Sequence, residues 1–373
     1  MSRNHLRIEV GGEEVVGLYE DLVDVEVDLD DELSGMFRIG LAVVQRSDGT
    51  WPYLDDDRFR FWQTITITAA VGDDEAELIS GYITHLRPDF AGVSPHCRLE
   101  LWGMDATVLM DRRLVVRDWP NRNDSEIARE IFGAYGLDCQ VTDTGIVHDE
   151  EVSTILQRET DIRFLKRLAR RNGYDCFVAA DKGYFSAPDP ARSPKTVLKV
   201  LCGEDSTVTH FSIEARALGP TEVAMTQIDH HTKEVHEVAI DSATLRPLGS
   251  KSASDWLAGG MFAERVDLAH CVTTGVPEMD ALCRGIEQRR EWFVTGKGDI
   301  TANVADRILI PRELVTIAGI GETYSGTYYV IRVVHVFTPD GYTQRFTVRR
   351  NALAVGASDD FSVHDGALSG ASI

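Results

Sequence analysis

The chain has 373 residues, 43% hydrophobic and 26% charged, proportions that suit a globular protein of two or three domains with ample core. Its formal net charge of -22 argues against non-specific binding to nucleic acid or to an anionic membrane face, since both require a basic surface. The six cysteines (Cys97, Cys139, Cys176, Cys202, Cys271 and Cys283) stand far apart and form no Cys-x-x-Cys pair, which favours reduced, mostly buried thiols over a zinc site or a disulfide framework.

Met1 to His5 leads into charged, alternating residues with no apolar signal-peptide stretch, and no run is long enough to span a bilayer. The expectation is folding in the cytoplasm. From Leu6 to about Met110 the pattern is mainly β: residues 23–29 alternate strictly, and 35–43 and 64–68 continue the sheet. Acidic turns at 30–32, 55–57 and 72–75 separate these runs, as in a small barrel or sandwich.

After Asp111 the period changes. Residues 124–132 predict a helix with Ile127, Ile131 and Phe132 on one face, a polar cap ahead and Gly136 behind. A second helix follows, capped by Thr160 and Asp161, striped by Ile162, Leu165, Leu168 and Ala169, and ended at Asn172-Gly173. Residues 176–179 and 184–185 close the segment as a hairpin, giving an α/β unit of roughly 85 residues between two β regions.

From Val197 the β pattern returns, with strands over 208–213 and 221–228, a loop over 249–260, and a helix over 277–292 whose apolar face is Met279, Leu282, Cys283 and Ile286. Strands over 314–317, 328–336 and 342–348 follow, and the residues after Ala354 read as a mobile tail. The last strands echo the first third of the chain. Ser80-Gly81-Tyr82-Ile83-Thr84-His85, a turn at Pro88-Asp89 and a strand from Cys97 to Trp102 match Ser325-Gly326-Thr327-Tyr328-Tyr329-Val330 with His335, a turn at Pro339-Asp340-Gly341 and a strand from Gln344 to Arg349. A repeat of this spacing predicts a duplicated domain and a geometric role.

Candidate chemistry is sparse. His230, His231 and His236 invite a metal, but the surrounding string reads as two strands joined by a polar turn, with adjacent histidines on opposite faces of a strand. His85 and His335 hold similar places in the two copies, which predicts equivalent packing. With 60 acidic residues, no particular carboxylate pair is singled out for glycoside hydrolysis. There is no Gly-x-Ser-x-Gly elbow or Walker loop, and Gly319-Ile320-Gly321 runs into a strand, not a phosphate-binding helix. The helix containing Arg163, Lys166, Arg167, Arg170 and Arg171 is either a solvated face or a basic contact patch for an acidic partner.

The string Ile155-Leu156-Gln157-Arg158-Glu159-Thr160-Asp161-Ile162-Arg163-Phe164-Leu165-Lys166-Arg167-Leu168-Ala169-Arg170-Arg171-Asn172-Gly173-Tyr174 closely resembles the Gln-x-Glu-Thr-Asp-x-x-Phe-Leu-x-Arg-Leu-x-x-x-x-Gly segment of the phage late control gene D family. That family comprises central hubs of contractile phage tails, and the same module forms the N-terminal part of type VI secretion tip proteins. Tyr324 to Val330, His335 and Thr343 to Arg349 look like its C-terminal barrel signature, and the likeness runs roughly from His5 to Ala354.

The resemblance implies an α+β, mainly β fold: a first tube-type β-barrel over 1–110, an α/β domain over 111–195, a second tube-type barrel over 196–354 with a loop and helix insertion near 247–293, and a flexible tail over 355–373. It implies a structural baseplate hub, a homotrimer whose six similar domains fit the sixfold inner tube protein on one side and a threefold spike on the other. The spike would be a separate protein, other baseplate proteins would surround the hub, and the chain would end in an assembled phage tail, tailocin or extracellular injection particle. No catalytic, cofactor-binding or metal residue is expected, no nucleic acid, and no membrane insertion by this chain. Two competing readings are a tail-associated peptidoglycan hydrolase and a monomeric glycan-binding module.

Overall fold

The computed structural model describes residues 6–92, 97–217, 221–229, 231–241, 244–256, 264–269, 271–301 and 307–356. In chain order the first third forms β1 (Leu6–Val10), β2 (Glu13–Glu14), α1 (Leu18–Asp21), β3 (Leu22–Asp30), β4 (Met36–Ala42), β5 (Thr64–Val71), β6 (Asp74–Asp89) and β7 (Arg98–Asp105). The central segment forms α2 (Thr107–Met110), β8 (Leu114–Trp119), α3 (Asp124–Ala134), β9 (Asp138–Val141), β10 (Ile155–Thr160), α4 (Asp161–Arg171), β11 (Asp175–Ala179) and β12 (Lys182–Ser186). The remainder forms β13 (Val197–Lys199), β14 (His210–Ala215), β15 (Thr221–Ile228), β16 (Val235–Ile240), β17 (Lys251–Ser252), α5 (Ala253–Trp256), β18 (Glu264–Asp267), α6 (Val276–Arg290), β19 (Val294–Thr301), β20 (Leu314–Ala318), α7 (Gly321–Tyr324), β21 (Gly326–Thr338), β22 (Gly341–Arg350) and β23 (Ala352–Leu353). The chain is therefore mainly β with a helical minority.

Strand pairing runs along one path, β14-β19-β22-β21-β3-β4-β7-β6-β5-β1-β2, with β20 attached to β21 and β13 to β20, so thirteen strands share one sheet. The halves meet where β3 lies antiparallel to β21, from Phe337 opposite Val25 to Arg332 opposite Asp30. Arg332 spans this seam with two hydrogen bonds to Asp28, at 2.8 and 2.5 Å. Among the described residues the path stays open at β14 and at β2, and neither half closes on itself. A core of Val25, Val27, Phe37, Ile39, Leu41, Ile65 and Ile67 underlies the first half and also takes in Ile308, Phe337 and Tyr342 from the last third of the chain. Val294, Val315, Tyr328, Val330, Val333, Phe346 and Val348 form the second core.

The central helices form for local reasons. Asn123 caps α3 through a reciprocal box: its Oδ1 accepts from Glu126 N at 2.7 Å and Glu126 Oε2 accepts from Asn123 N at 3.2 Å, worth about 1 kcal/mol. α4 buries Ile162, Phe164, Leu165 and Leu168 against Trp119, Phe132 and Phe185. It ends at Gly173, whose φ of +67 admits glycine without strain. Thr160 occupies the N-cap position, but its hydroxyl donates to Asp111 at 2.5 Å and accepts no N–H of the helix. β11 and β12 turn through Ala180 and Asp181, both at positive φ, as a tight two-residue hairpin requires.

Several expectations change. Pro88 and Asp89 are strand residues opposite Leu99 and Arg98, not a turn. The physical reason is that the β5 ladder reaches only to Tyr82, so at Pro88 β6 pairs with β7 alone, and a strand with one partner accommodates proline. Ser80-Gly81 lies inside β6, whereas Gly326 begins β21, so the two copies are offset. The stretch 249–260 is not a simple loop, since it contains β17 and α5; its residues 257–260 lie outside the described residues. Gly321 opens a single helical turn before the strand. The cysteines are free, with Cys97, Cys176 and Cys283 buried but Cys139 and Cys271 exposed. Of the expected tail, residues 357–373 lie outside the described residues.

Candidate assembly site

The turn Asp30–Glu32 between β3 and β4 is where the sheet, the central unit and α6 converge. Asp31 in this acidic turn is only 6% exposed. Arg349 of β22 places Nη2 3.2 Å from Asp31 Oδ2, although without hydrogen-bond geometry. Arg312 donates to the carbonyls of Asp30 (3.2 Å) and Asp31 (2.7 Å) and stacks its guanidinium 3.5 Å from the Phe177 ring centroid. Burial pushes the Asp31 carboxyl pKa up to about 6; Arg349 and Arg312 oppose the rise and Asp175 adds to it. Glu32 is buried less, and although burial works to raise its pKa, Arg289 and Arg170 hold it below the usual carboxylate range.

The basic helix faces this acidic turn. Lys166 Nζ donates to Glu32 O at 2.7 Å, Arg170 Nη2 lies 3.4 Å from Glu32 Oε2, and Arg289 of α6 reaches Glu32 Oε1 at 2.7 Å. Arg163 pairs with Asp111 at 2.9 Å, Arg167 with Glu159 at 2.6 Å, and Arg171 with Glu278 of α6. Arg163, Arg167 and Arg170 stay largely solvated as they pair, and with Lys166 and Arg171 the helix ties the central unit to the sheet and to α6. Gly285 makes the α4–α6 approach possible, since a Cβ there would meet Arg171 O at 2.6 Å.

Behind Arg171 lies a second buried network. His148 Nε2 sits 2.8 Å from Asp124 Oδ1 and its Nδ1 3.3 Å from Glu278 Oε1. Asn172 Nδ2 donates to Asp124 Oδ2 at 2.7 Å, and Thr274 N donates to Glu278 Oε2 at 2.7 Å. Farther along α6, Glu287 and Glu291 form a buried carboxyl pair; burial and the hydrogen bond between them raise Glu287 far above the usual range. Thr244 closes that pair, its Oγ1 donating to Glu287 Oε2 (2.7 Å) and its N to Glu291 Oε1 (2.6 Å). This carboxyl pair is thus closed by protein groups. A cavity of about 120 Å³ between the sheet and the central unit is lined by Leu29, Ile79, Asp105, Phe177, Ile310 and Arg312. Its buried carboxyl, Asp105, accepts from Gly35 N at 2.6 Å and Thr107 N at 2.9 Å.

The histidines fall elsewhere. Ile228 and Val235 pair as the last rungs of β15 and β16, so His231 sits in the turn between them and not on a strand; His230 lies outside the described residues. His236 Nε2 is 4.0 Å from Asp229 Oδ2, and no group of three or more His, Cys, Asp or Glu among the described residues is arranged for a metal. His85 and His335 are not equivalent: His85 is exposed, while His335 is fully buried, shares a hydrogen bond at Nδ1 with the Tyr342 hydroxyl at 2.7 Å, and has its pKa lowered to about 3 by burial. Counted from Ser80 and Ser325 they stand five and ten residues on, which explains the different environments. The roles of Asp31, His148 and Arg349 escape sequence reasoning; the available signal is that an acidic turn and a basic helix of one chain could satisfy each other.

Buried ion pairs hold the arrangement together, and its fold is similar to those of solved tail proteins. The fold is similar to a 43 kDa tail protein of prophage MuSo2 from Shewanella oneidensis, with a TM-score of 0.67 and 13% identity over 94% of this chain and 99% of that one. It is also similar to a tail protein from Neisseria meningitidis (TM-score 0.66, 12% identity, 93% and 96% covered). A third similar structure is the E. coli c3393 protein, a component of the type VI secretion system (TM-score 0.55, 12% identity, 95% and 80% covered). No curated protein matches the sequence. The chain belongs to the Alg8 N-terminal domain family, whose model matches residues 2–338.

Proposed function

We propose that this chain is the structural hub at the centre of a contractile baseplate, of the kind the late control gene D resemblance implies. Three copies would form a ring of six similar β units between a sixfold inner tube and a threefold spike. The observation that carries this reading is the likeness to a tail protein over 94% of this chain and 99% of the other. Two β cores on one sheet support it, because a threefold body meets a sixfold ring only if each subunit offers two comparable surfaces. In this reading residues 1–110 and 196–354 are the two tube-type units, completed as barrels by neighbouring subunits at the open edges, and 111–195 is the unit that braces them. The role is assembly and not catalysis, which the sealing of Glu287 and Glu291 by Thr244 favours. Light scattering with negative-stain imaging tests it. A threefold particle with a pseudo-sixfold ring is expected; a chain that stays single with its spike protein added overturns the proposal.

A further inference from the structure

Residues 244–248 form a strap whose two ends are held by different chemistry. At the sheet end Leu248 packs with Leu314 and Tyr329, its N donates to Asn351 Oδ1 at 2.9 Å, and its carbonyl accepts from Arg350 Nε and Nη2 at 2.9 and 2.8 Å. An amide and a guanidinium keep their protons from acid to mildly alkaline solution, so this end does not respond to pH. The other end is held by two acids. Thr244 Oγ1 donates to Glu287 Oε2 at 2.7 Å, and the amides of Thr244 and Leu245 donate to Glu291 Oε1 at 2.6 and 3.3 Å.

Glu287 of α6 and Glu291 at its C-cap stand one turn apart and are 5% and 4% exposed. Among the described residues neither forms an ion pair with a cation. The charged groups of the elements around them are engaged elsewhere: Arg284 of α6 with Asp280, Arg171 of α4 with Glu278, Glu222 of β15 and Glu237 of β16 with Arg265, and His236 of β16 near Asp229. Arg350 is turned to backbone carbonyls and Arg246 of the strap is exposed. Two buried carboxylates with no cation between them repel each other and lose hydration, so one keeps a proton. The donors say which. Glu291 accepts two amide N–H groups and has Asn351 Nδ2 3.5 Å from its Oε2, whereas Glu287 accepts one hydroxyl, so Glu291 is the better anion and Glu287 the acid. Burial first, and then the hydrogen bond with Glu291, raise the Glu287 pKa in the direction this assignment requires.

We propose that Glu287 and Glu291 are a proton latch: sharing one proton, they hold Thr244 and Leu245 against α6, and loss of that proton to solvent frees this end of the strap while Leu248 stays on the sheet. With both acids ionised, repulsion is relieved by turning one carboxylate out to water, and whichever leaves drops a donor of Thr244. The folded chain holds the proton more tightly than the unfolded chain, so the latch is complete in acid and is lost as pH rises through the folded value, above the usual carboxylate range.

The test is hydrogen exchange with subsecond labelling, read by mass spectrometry on peptides covering 244–248, for the unaltered chain, Glu287→Gln and Glu291→Gln from about pH 6 to about pH 9.5, with circular dichroism to verify folding. Glutamine carries a permanent N–H donor in place of the shared proton and cannot ionise, so both variants stay latched. Dividing the rate in the unaltered chain by that in a variant at the same pH cancels the base catalysis of exchange. The expected ratio is near one at the acid end and rises about tenfold for each pH unit above the value at which the pair gives up its proton, while the β3–β21 amides stay protected. A ratio that stays flat overturns the latch. A rise shared by the β3–β21 amides reports unfolding of the whole chain and also overturns it, as does fast strap exchange in folded variants at the acid end. Either variant suffices, and should both fail to fold, the strap and the β3–β21 amides of the unaltered chain are compared in the same sample with the same two outcomes.

Discussion

Replacing Asp31 by asparagine removes one charge from the junction while keeping the side chain's shape, and the effect depends on pH. Burial raises the Asp31 pKa from 3.8 to about 6, against the pull of Arg349 3.2 Å away. The folded chain therefore holds this proton more tightly than the unfolded chain, and folding takes up a proton between the two values. The stability this group contributes is complete below pH 3.8 and is lost as pH rises through about 6. From 3.8 to about 6, at about 1.4 kcal/mol for each pH unit between them, the loss amounts to about 3 kcal/mol. Asparagine does not titrate, so unfolding free energy of the parent minus that of the variant falls by about 3 kcal/mol between about pH 4 and pH 7.5. Taking the difference cancels the other carboxylates, which titrate in both proteins. Urea titrations at closely spaced pH values measure it. A flat difference would mean that Asp31 titrates as an ordinary carboxyl, and a difference that rises with pH would mean that the Arg349 pair outweighs burial; either refutes the reasoning.

Arg350 is buried and donates to the carbonyls of Leu248 (2.9 and 2.8 Å), Ser325 (3.0 Å) and Ala354 (2.9 Å). Arg350→Met strands those acceptors and costs about 3–5 kcal/mol, read as a lower denaturant midpoint with an unchanged slope. The α4 cations divide by burial. Arg163→Ala, which breaks an exposed pair with Asp111, changes stability by less than about 1 kcal/mol, whereas Arg171→Met, which leaves Glu278 buried beside His148, costs about 3–5 kcal/mol. Equal costs in thermal melts would refute the clamp described for α4. At the β3–β21 seam, the amides of Val25, Val27, Val333 and His335 exchange with solvent only on global unfolding; faster exchange there than in either core would show that the halves open apart.

Where one surface decided the local structure, the sequence was readable. β15 spans Thr221–Ile228 as the alternation predicts, and α4 follows its apolar stripe to Gly173, because each has one face on a core and a glycine or polar turn at its end. Pro88 misled because its meaning depends on whether a strand has one neighbour or two, and that is set by how far β5 reaches, not by anything near Pro88. The histidine correspondence failed for a similar reason. Sequence spacing placed His85 and His335 in like hairpins, but register decides which face a residue occupies, and a five-residue offset sends one to solvent and the other beneath Tyr342. The acidic turn at 30–32 and the basic helix were each visible. Their pairing, across 138 residues between Glu32 and Arg170, was not.

The seam between the halves bears on how such a chain could act in an assembly. Two domains joined by a linker meet through an interface that permits relative motion. Here β3 and β21 share a ladder from Val25 to Asp30, so displacing one half from the other breaks backbone hydrogen bonds in the middle of a thirteen-stranded sheet. The angle between the halves is then set by strand twist, about −20 to −25° per neighbouring pair, and not by loop length. The Asp30–Glu32 turn lies at the end of that ladder, held by Arg312 and Arg349 from the second half and by Lys166 and Arg170 from α4. The central unit thus holds the turn at which that ladder ends.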